Sequence, residues 1–378
     1  MQIILKSYQK MEMNKQQIYS SEKLFTGTEW LLNHAIVVLD NKIVDMIPVT
    51  GIQTTTAKHF PIIAPAFIDI QIYGAYDKLL AVYPDADALH KLYAYCSGGG
   101  ASHFQPTVAT NSYDVFYKSI DAVKAYWNGG GKGCIGLHIE GPWIHPQKKG
   151  AHMESFIHSP TEEVAKELLE YGKGVITMIT LAPEVCSKKV IELVRSYGVI
   201  ISAGHSNATY EEAMAAFDSG IPAATHLYNA MSPLQHRAPG MVGAVFNHPK
   251  VMASIVPDGY HVDFAAIQIA KKIMKERLFV ITDAVTETNS GPYAHRLVGD
   301  RYESNGTLSG SALTMGKSLR NLIFKVGIEP AEALRMVSLY PAQVMNKTGL
   351  SGKIEKGDTA NLVFLNENFD VQGIVALS

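Results

Sequence analysis

The chain has 378 residues, with 33 Lys plus Arg against 35 Asp plus Glu, so its net charge is −2. That balance excludes a basic nucleic-acid footprint and an acidic tail. Hydrophobic residues at 47% against 18% charged exclude disorder as the main state and leave material for a large core.

The length suits an α/β barrel of about 250 residues with a smaller appendage. Cys96, Cys134 and Cys186 stand far apart with no C-x-x-C pair, which reads as reduced thiols in a cytoplasmic protein. The opening MQIILKSYQKMEMNK lacks the apolar core of a signal peptide. No run of about 18 apolar residues offers a membrane span. Neither a membrane nor a nucleic acid is therefore expected as a partner.

Residues 1 to about 60 suggest short strands. IVVLD, Asn41 and KIVDMIPV read as a hairpin, with β-branched residues flanking an Asp-Asn turn. From there apolar runs alternate with helical patterns eight times. The strand candidates are IIAPAFIDIQIYG, SHFQPTVAT, CIGLHIEGPW, GVITMITLAP, GVIISAGHS, AATHLYNAM, MASIVPDGYH and LFVITDAV. Most are continuous apolar runs, as parallel strands covered on both faces should be. TEEVAKELLEYG, KKVIELVRSYG, TYEEAMAAFDSG and FAAIQIAKKIMKE are helix candidates, several ending in Gly.

This alternation predicts a (β/α)8 TIM-like barrel over residues 61–347. Residues 286–310 read as a polar stretch, followed by helices. GLSGKIEKGDTANLVFLNENFDVQGIVAL returns to strands and turns. Residues 1–60 and 348–378 are therefore expected to join in a small β-sandwich beside the barrel, since chain ends often meet on a surface.

In such a barrel, chemistry collects at the C-terminal ends of the strands. Five predicted strands deliver a His or a carboxylate there: Glu140, His205, His226, Asp258 with His261, and Asp283. Glu140, His205 and His226 form a three-ligand set for a divalent metal that leaves a position open for water. Asp283 is then the natural general acid and base. A lone His at a strand end is more often structural than a ligand, but five such groups on one rim weigh against coincidence. With no H-E-x-x-H or C-x-x-C signature, both readings stand on these residues alone.

The stretches HIEGPWIHPQKKGAH, SAGHSNATYEEA, THLYNAMSPLQHRAPGMVGAVF, PDGYHVD, VITDAV and GTLSGSALTM, with the ending YPAQVMNKTGLSGKIEKGDTANLVFL, resemble the N-acetylglucosamine-6-phosphate deacetylases of the amidohydrolase superfamily. The resemblance runs in order from about residue 60 to residue 366. It implies hydrolysis of the acetamide of N-acetylglucosamine 6-phosphate, with Glu140, His205 and His226 as metal ligands and Asp283 as acid/base. It places His152 beside the acetyl carbonyl, Ala151 among the substrate-binding residues, Asn229, Ala230 and His261 on the sugar, and Arg237 on the phosphate. Leu308, Ser309 and Gly310 would approach the substrate through their backbone, just before a helix starting near Thr314. It also implies a homodimer.

Bland alternatives exist for several of these: a loop histidine for His152, a solvated arginine for Arg237, a packed histidine for His261. His138 and Asp69 read as supports within the barrel.

Many amidohydrolases carry H-x-H on strand 1, where a second metal binds. Here Gln71 and Tyr73 occupy those positions, so one divalent ion is expected, zinc first, with iron, cobalt or manganese also compatible with Glu/His₂ ligation. VITMITLAPE has no lysine for a binuclear site, which argues against dihydroorotase-like or deaminase-like relatives. N-acetylgalactosamine 6-phosphate is the nearest rival substrate. A non-catalytic scaffold is less expected, because all four key residues are present.

Overall fold

The computed structural model describes residues 16–49, 57–304 and 306–376; residues 1–15, read above for a leader, lie outside them. Four strands open the chain: β1 (Gln17–Phe25), β2 (Trp30–Leu39), β3 (Lys42–Pro48) and β4 (Lys58–Pro65). β2 and β3 form the predicted hairpin. Its turn residues Asp40 and Asn41 have φ of 48° and 65°, left-handed values that Asp and Asn tolerate.

β5 (Phe67–Ile72) follows β4 with only Ala66 between them. The apolar run read as one strand is thus two, and the chain passes from one sheet to another at Ala66. Residues 62–75 are all buried, so hydropathy marks no break. A tight hairpin, β6 (Gly74–Ala75) and β7 (Lys78–Leu79), comes next.

Seven more parallel strands follow: β8 (Ala101–Ala109), β9 (Leu137–Glu140), β10 (Ile176–Leu181), β11 (Ile200–Ala203), β12 (Ala223–Ala224), β13 (Met252–Ile255) and β14 (Leu278–Val280). With β5 they make one sheet in sequential order. Its edges meet through a parallel bridge of Ile72 with Ala284, where Tyr73 N–H donates to the Ala284 carbonyl at 2.9 Å. This is the expected TIM-like barrel.

The predicted helices fall between the strands at Glu162–Tyr171, Lys188–Ser196, Tyr210–Asp218 and Phe264–Met274. Their starts are fixed by side chains: Thr161 and Ser187 each accept from the backbone three residues on, and Thr209 with Glu212 forms a reciprocal cap. Each such cap contributes roughly 1 kcal/mol.

After β14 the stretch read as polar is a small antiparallel sheet of β15 (Arg296–Val298), β16 (Arg301–Ser304) and β17 (Thr307–Ser311). β15 is exposed throughout, so its sequence carries no buried-face alternation to betray a strand.

The two chain ends do meet. β18 (Leu362–Leu365) and β19 (Val371–Val375) join the first four strands in a mixed six-stranded sheet, ordered β19-β18-β4-β1-β2-β3. Alternation along β4 and β18 explains its seating. Ile62, Ala64, Val363 and Leu365 belong to the barrel's core, whereas Ile63, Leu362 and Phe364 join Tyr19, Leu24, Ile36 and Val38 in a second, smaller core.

Candidate active site

Glu140 ends β9, while His205 and His226 follow β11 and β12 by two residues. All three are buried. Glu140 Oε1 lies 3.3 Å from His205 Nε2 and 3.1 Å from His226 Nε2, and the two Nε2 atoms are 3.0 Å apart. Donors bound at about 2.0–2.2 Å to one tetrahedral ion lie roughly 3.4 Å from each other, so this spacing fits a shared cation. His205 Nδ1–H donates to the Lys148 carbonyl at 2.8 Å, which leaves the Nε2 lone pair facing the other donors.

Backbone strain accompanies this convergence. His205, His226 and Asp283 have φ of 48°, 39° and 55°. Non-glycine residues in that region cost of order 1–3 kcal/mol each and gather at functional sites.

Asp283 stands at the seam where β14 meets β5. Gln71 Nε2 donates to Asp283 Oδ1 at 2.9 Å and to Glu140 Oε1 at 3.1 Å, so one amide bridges the two carboxylates. Tyr73 OH donates to Glu140 Oε2 at 2.5 Å. The strand-1 pair Gln71 and Tyr73 thus supplies hydrogen-bond donors to the two carboxylates. Asp69, two residues earlier, accepts from Thr282 N–H at 3.2 Å and from Thr282 Oγ1 at 2.5 Å, holding the residue before Asp283.

The environments divide the two carboxyls. Burial alone would raise Glu140, but His152, His205 and His226 hold it well below the ordinary carboxylate value. Burial pushes Asp283 above its ordinary value against the opposing pull of His226. Burial lowers His205 to about 4, which keeps the imidazole neutral, as a metal ligand must be. One carboxylate is therefore suited to stay ionised and the other to carry a proton.

Over this centre lies a cavity of about 180 Å³, lined by Ala151, His152, Asn229, Ala230, His261, Leu308, Ser309 and Gly310 besides the four central residues. His152 Nε2 is 3.2 Å from Glu140 Oε2, and its Nδ1 is 2.7 Å from Thr110 Oγ1. Gly141, at φ 81°, makes room for that support, since a Cβ there would fall 2.0 Å from Thr110 Oγ1. His261 Nδ1 pairs with Asp258 Oδ2 at 2.6 Å and presents Nε2 3.9 Å from Asp283. Leu308, Ser309 and Gly310 reach the cavity from β17, and the next helix is capped by Thr314. His138 bonds to Thr180 Oγ1 inside the barrel, away from the donor cluster.

Arg237 is the exception. It is exposed in the turn closed by Gln235 and Ala238 and does not line the cavity. Among the described residues no lysine or arginine does.

Sequence reasoning missed Tyr293 and His295, both buried in the cavity wall. Tyr293 OH donates to the Thr110 carbonyl, and His295 Nδ1 is 2.9 Å from Ser309 Oγ. Both lie in the stretch read as polar, and the two rings of PYAH were the available signal.

A parallel barrel that gathers a carboxylate and two imidazoles at ligand spacing beneath one cavity is the frame of a metal-assisted hydrolase. The sequence pattern of the amidohydrolase family matches residues 62–376, and the chain belongs to that family. It is 33% identical to an N-acetylglucosamine-6-phosphate deacetylase of Haemophilus influenzae, across 93% of this chain and 96% of that one. It is 30% identical to an N-acetylgalactosamine-6-phosphate deacetylase of Escherichia coli O157:H7, across 94% and 97%. The crystal structure of an N-acetylglucosamine-6-phosphate deacetylase from Pasteurella multocida superposes with a TM-score of 0.90 at 31% identity, covering 95% of this chain and 98% of that one.

Proposed function

We propose that the protein hydrolyses the acetamide of N-acetylglucosamine 6-phosphate to glucosamine 6-phosphate and acetate. The observation that carries this reading is the meeting of Glu140, His205 and His226 at ligand spacing, with Asp283 tied to Glu140 through Gln71. The full-length likeness to amino-sugar phosphate deacetylases supplies the substrate.

Glu140, His205 and His226 would hold one divalent ion, zinc by the preference of such a nitrogen and carboxylate set. A bound divalent ion supplies Lewis acidity, which polarises an amide carbonyl and makes water more acidic. Asp283 takes the proton from the attacking water, and the new C–O bond converts the amide carbon to a tetrahedral centre. His152 donates a hydrogen bond to the carbonyl oxygen as charge develops there. Asp283 then passes its proton to the nitrogen as the C–N bond breaks, so the amine leaves neutral beside acetic acid, whose remaining proton goes to the freed amine to give acetate and an ammonium group. His261 orients the sugar beside Asp283, and Asn229, Ala230 and the β17 backbone line its path.

Arg237 meets the phosphate in a homodimer, reaching from its exposed loop across an interface with a second copy. Leu234, 53% exposed on the same loop, supports a covered surface there. Three free cysteines fit a cytoplasmic setting. Among the described residues no helix is long and apolar enough to cross a membrane.

The test is acetate release from N-acetylglucosamine 6-phosphate by purified protein, before and after chelation and with metals restored singly, alongside metal analysis. Release that is lost with the metal and regained on its return supports the reading; no release in any metal-loaded form overturns it. The galactosamine epimer belongs in the same assay because the Escherichia coli relative is named for it.

A further inference from the structure

The cavity wall changes character around the barrel. On the side of β9, β11, β12 and β13 it is polar, with Glu140, His205, His226, Asn229 and His261. On the side of β14, β5 and β8, neighbours across the closing seam, apolar side chains predominate around Asp283 and Thr107. Tyr73, Leu79, Ala81, Ala109 and Val285 line the wall there, joined by Tyr293 from the segment after β14. Tyr73, Leu79, Val285 and Tyr293 form a cluster separate from the barrel's core, with Ala81 and Ala109 packed against it.

Hydrogen bonds and a close backbone approach tie down the hairpin that brings Leu79 to this wall. The β6–β7 hairpin turns at Tyr76 and Asp77, with φ of 50° and 62°. Asp77 N–H donates to Thr286 Oγ1 at 2.9 Å, and Leu80 N–H donates to the Tyr73 carbonyl at 3.0 Å. A Cβ on Gly74 would lie 2.6 Å from the Lys78 carbonyl oxygen, so the two arms touch backbone to backbone. Through Tyr73 OH the apolar wall begins one hydrogen bond away from Glu140.

In a phosphorylated N-acyl amino sugar the acyl chain is the one substituent that ends in carbon alone, with no hydroxyl or charge. Once the amide carbon sits at the Glu140–His205–His226 centre, the sugar must leave on one side and the acyl carbons on the other. We propose that the apolar wall is an acyl pocket, and that Leu79 with Val285 and Tyr293 sets the length of the N-acyl group removed. The inference rests on the deacylation reading above and assigns its substrate class: hexosamine 6-phosphates bearing short, unbranched N-acyl groups. One methylene in an apolar pocket changes kcat/KM by roughly 10–200-fold, so length is a property this wall can discriminate.

The test uses metal-loaded protein and glucosamine 6-phosphate carrying N-acetyl, N-propionyl or N-butyryl groups, with release of the free amine measured. Leu79→Ala should raise the kcat/KM ratio of butyryl to acetyl substrate by about tenfold or more. Val285→Ala, from a different part of the chain, should shift it the same way, which covers the case of one variant failing to fold. Ala109→Val should lower the ratio. Melting temperature and metal content show which variants are folded and loaded. A change shared equally by all three substrates, or an unchanged ratio in folded variants, overturns the acyl pocket, because the wall then meets the sugar or nothing. Failure of the unaltered protein on the acetyl substrate is a separate result that overturns the functional reading itself.

Discussion

The ligand corner and the closing seam of the barrel share one rim but are assembled differently. At the corner, β9, β11 and β12 aim three donors at one point, with two of the three residues in left-handed backbone. At the seam, β5 meets the residues just after β14 at one bridge, Ile72 with Ala284, and side chains complete the join: Asp69 holds Thr282, and Gln71 links Asp283 to Glu140. The corner concentrates electron-pair donors, as a cation requires. The seam keeps two carboxylates apart with a shared amide, as a proton carrier requires. Binding the ion and moving the proton should therefore fail separately.

The sharpest contrast comes from one substitution on each side. Asp283→Asn keeps shape and hydrogen bonding but cannot cycle a proton, so kcat should fall by about a thousandfold with metal content unchanged. Glu140→Gln should lose both metal and turnover, because the neutral amide is a poor partner for a divalent ion. Metal analysis beside steady-state kinetics separates the two. Loss of metal in Asp283→Asn would erase the distinction between corner and seam.

A smaller effect is expected outside both. Arg237→Ala should raise KM for the phosphorylated sugar by about tenfold and leave kcat near its starting value, as befits a charge-assisted contact remote from the amide. The same KM before and after the change removes Arg237 from the substrate's path.

The corner was legible in the sequence because each donor falls at or just past a strand end, where barrel chemistry gathers, and because the mostly apolar stretches CIGLHIE, VIISAGH and IPAATH end on Glu140, His205 and His226. The seam was half legible. Gln71 and Tyr73 alternate and so had to share a face, but nothing local says that Gln71 bridges two carboxylates from strands far along the chain. The β6–β7 hairpin was hidden because its turn is Tyr-Asp, whereas left-handed turns usually advertise themselves with Asn or Gly. Tyr293, His295 and the strands around them were hidden for another reason. Their strands are three to five residues long and β15 is wholly exposed, so burial leaves no periodic trace.

The finest test of the seam is its pH dependence. Asp69 is 1% exposed, and burial lifts its carboxyl to about 7 even though Thr282 and Gln71 all donate to it. In the unfolded chain the same group ionises near 3.9, roughly the ordinary aspartate value. Between about pH 4 and pH 7 the folded protein therefore binds more protons than the unfolded chain at this site. Its contribution to stability is complete below about pH 4 and drains away as pH rises through about 7. Asp69→Asn keeps an acceptor for the Thr282 and Gln71 amides and has no proton to lose. Thermal midpoints measured across that window should fall more steeply with pH in the unaltered protein than in the variant. Parallel curves would mean that the three donors keep Asp69 ionised throughout, and that the seam is an ion held by amides rather than a buried neutral acid.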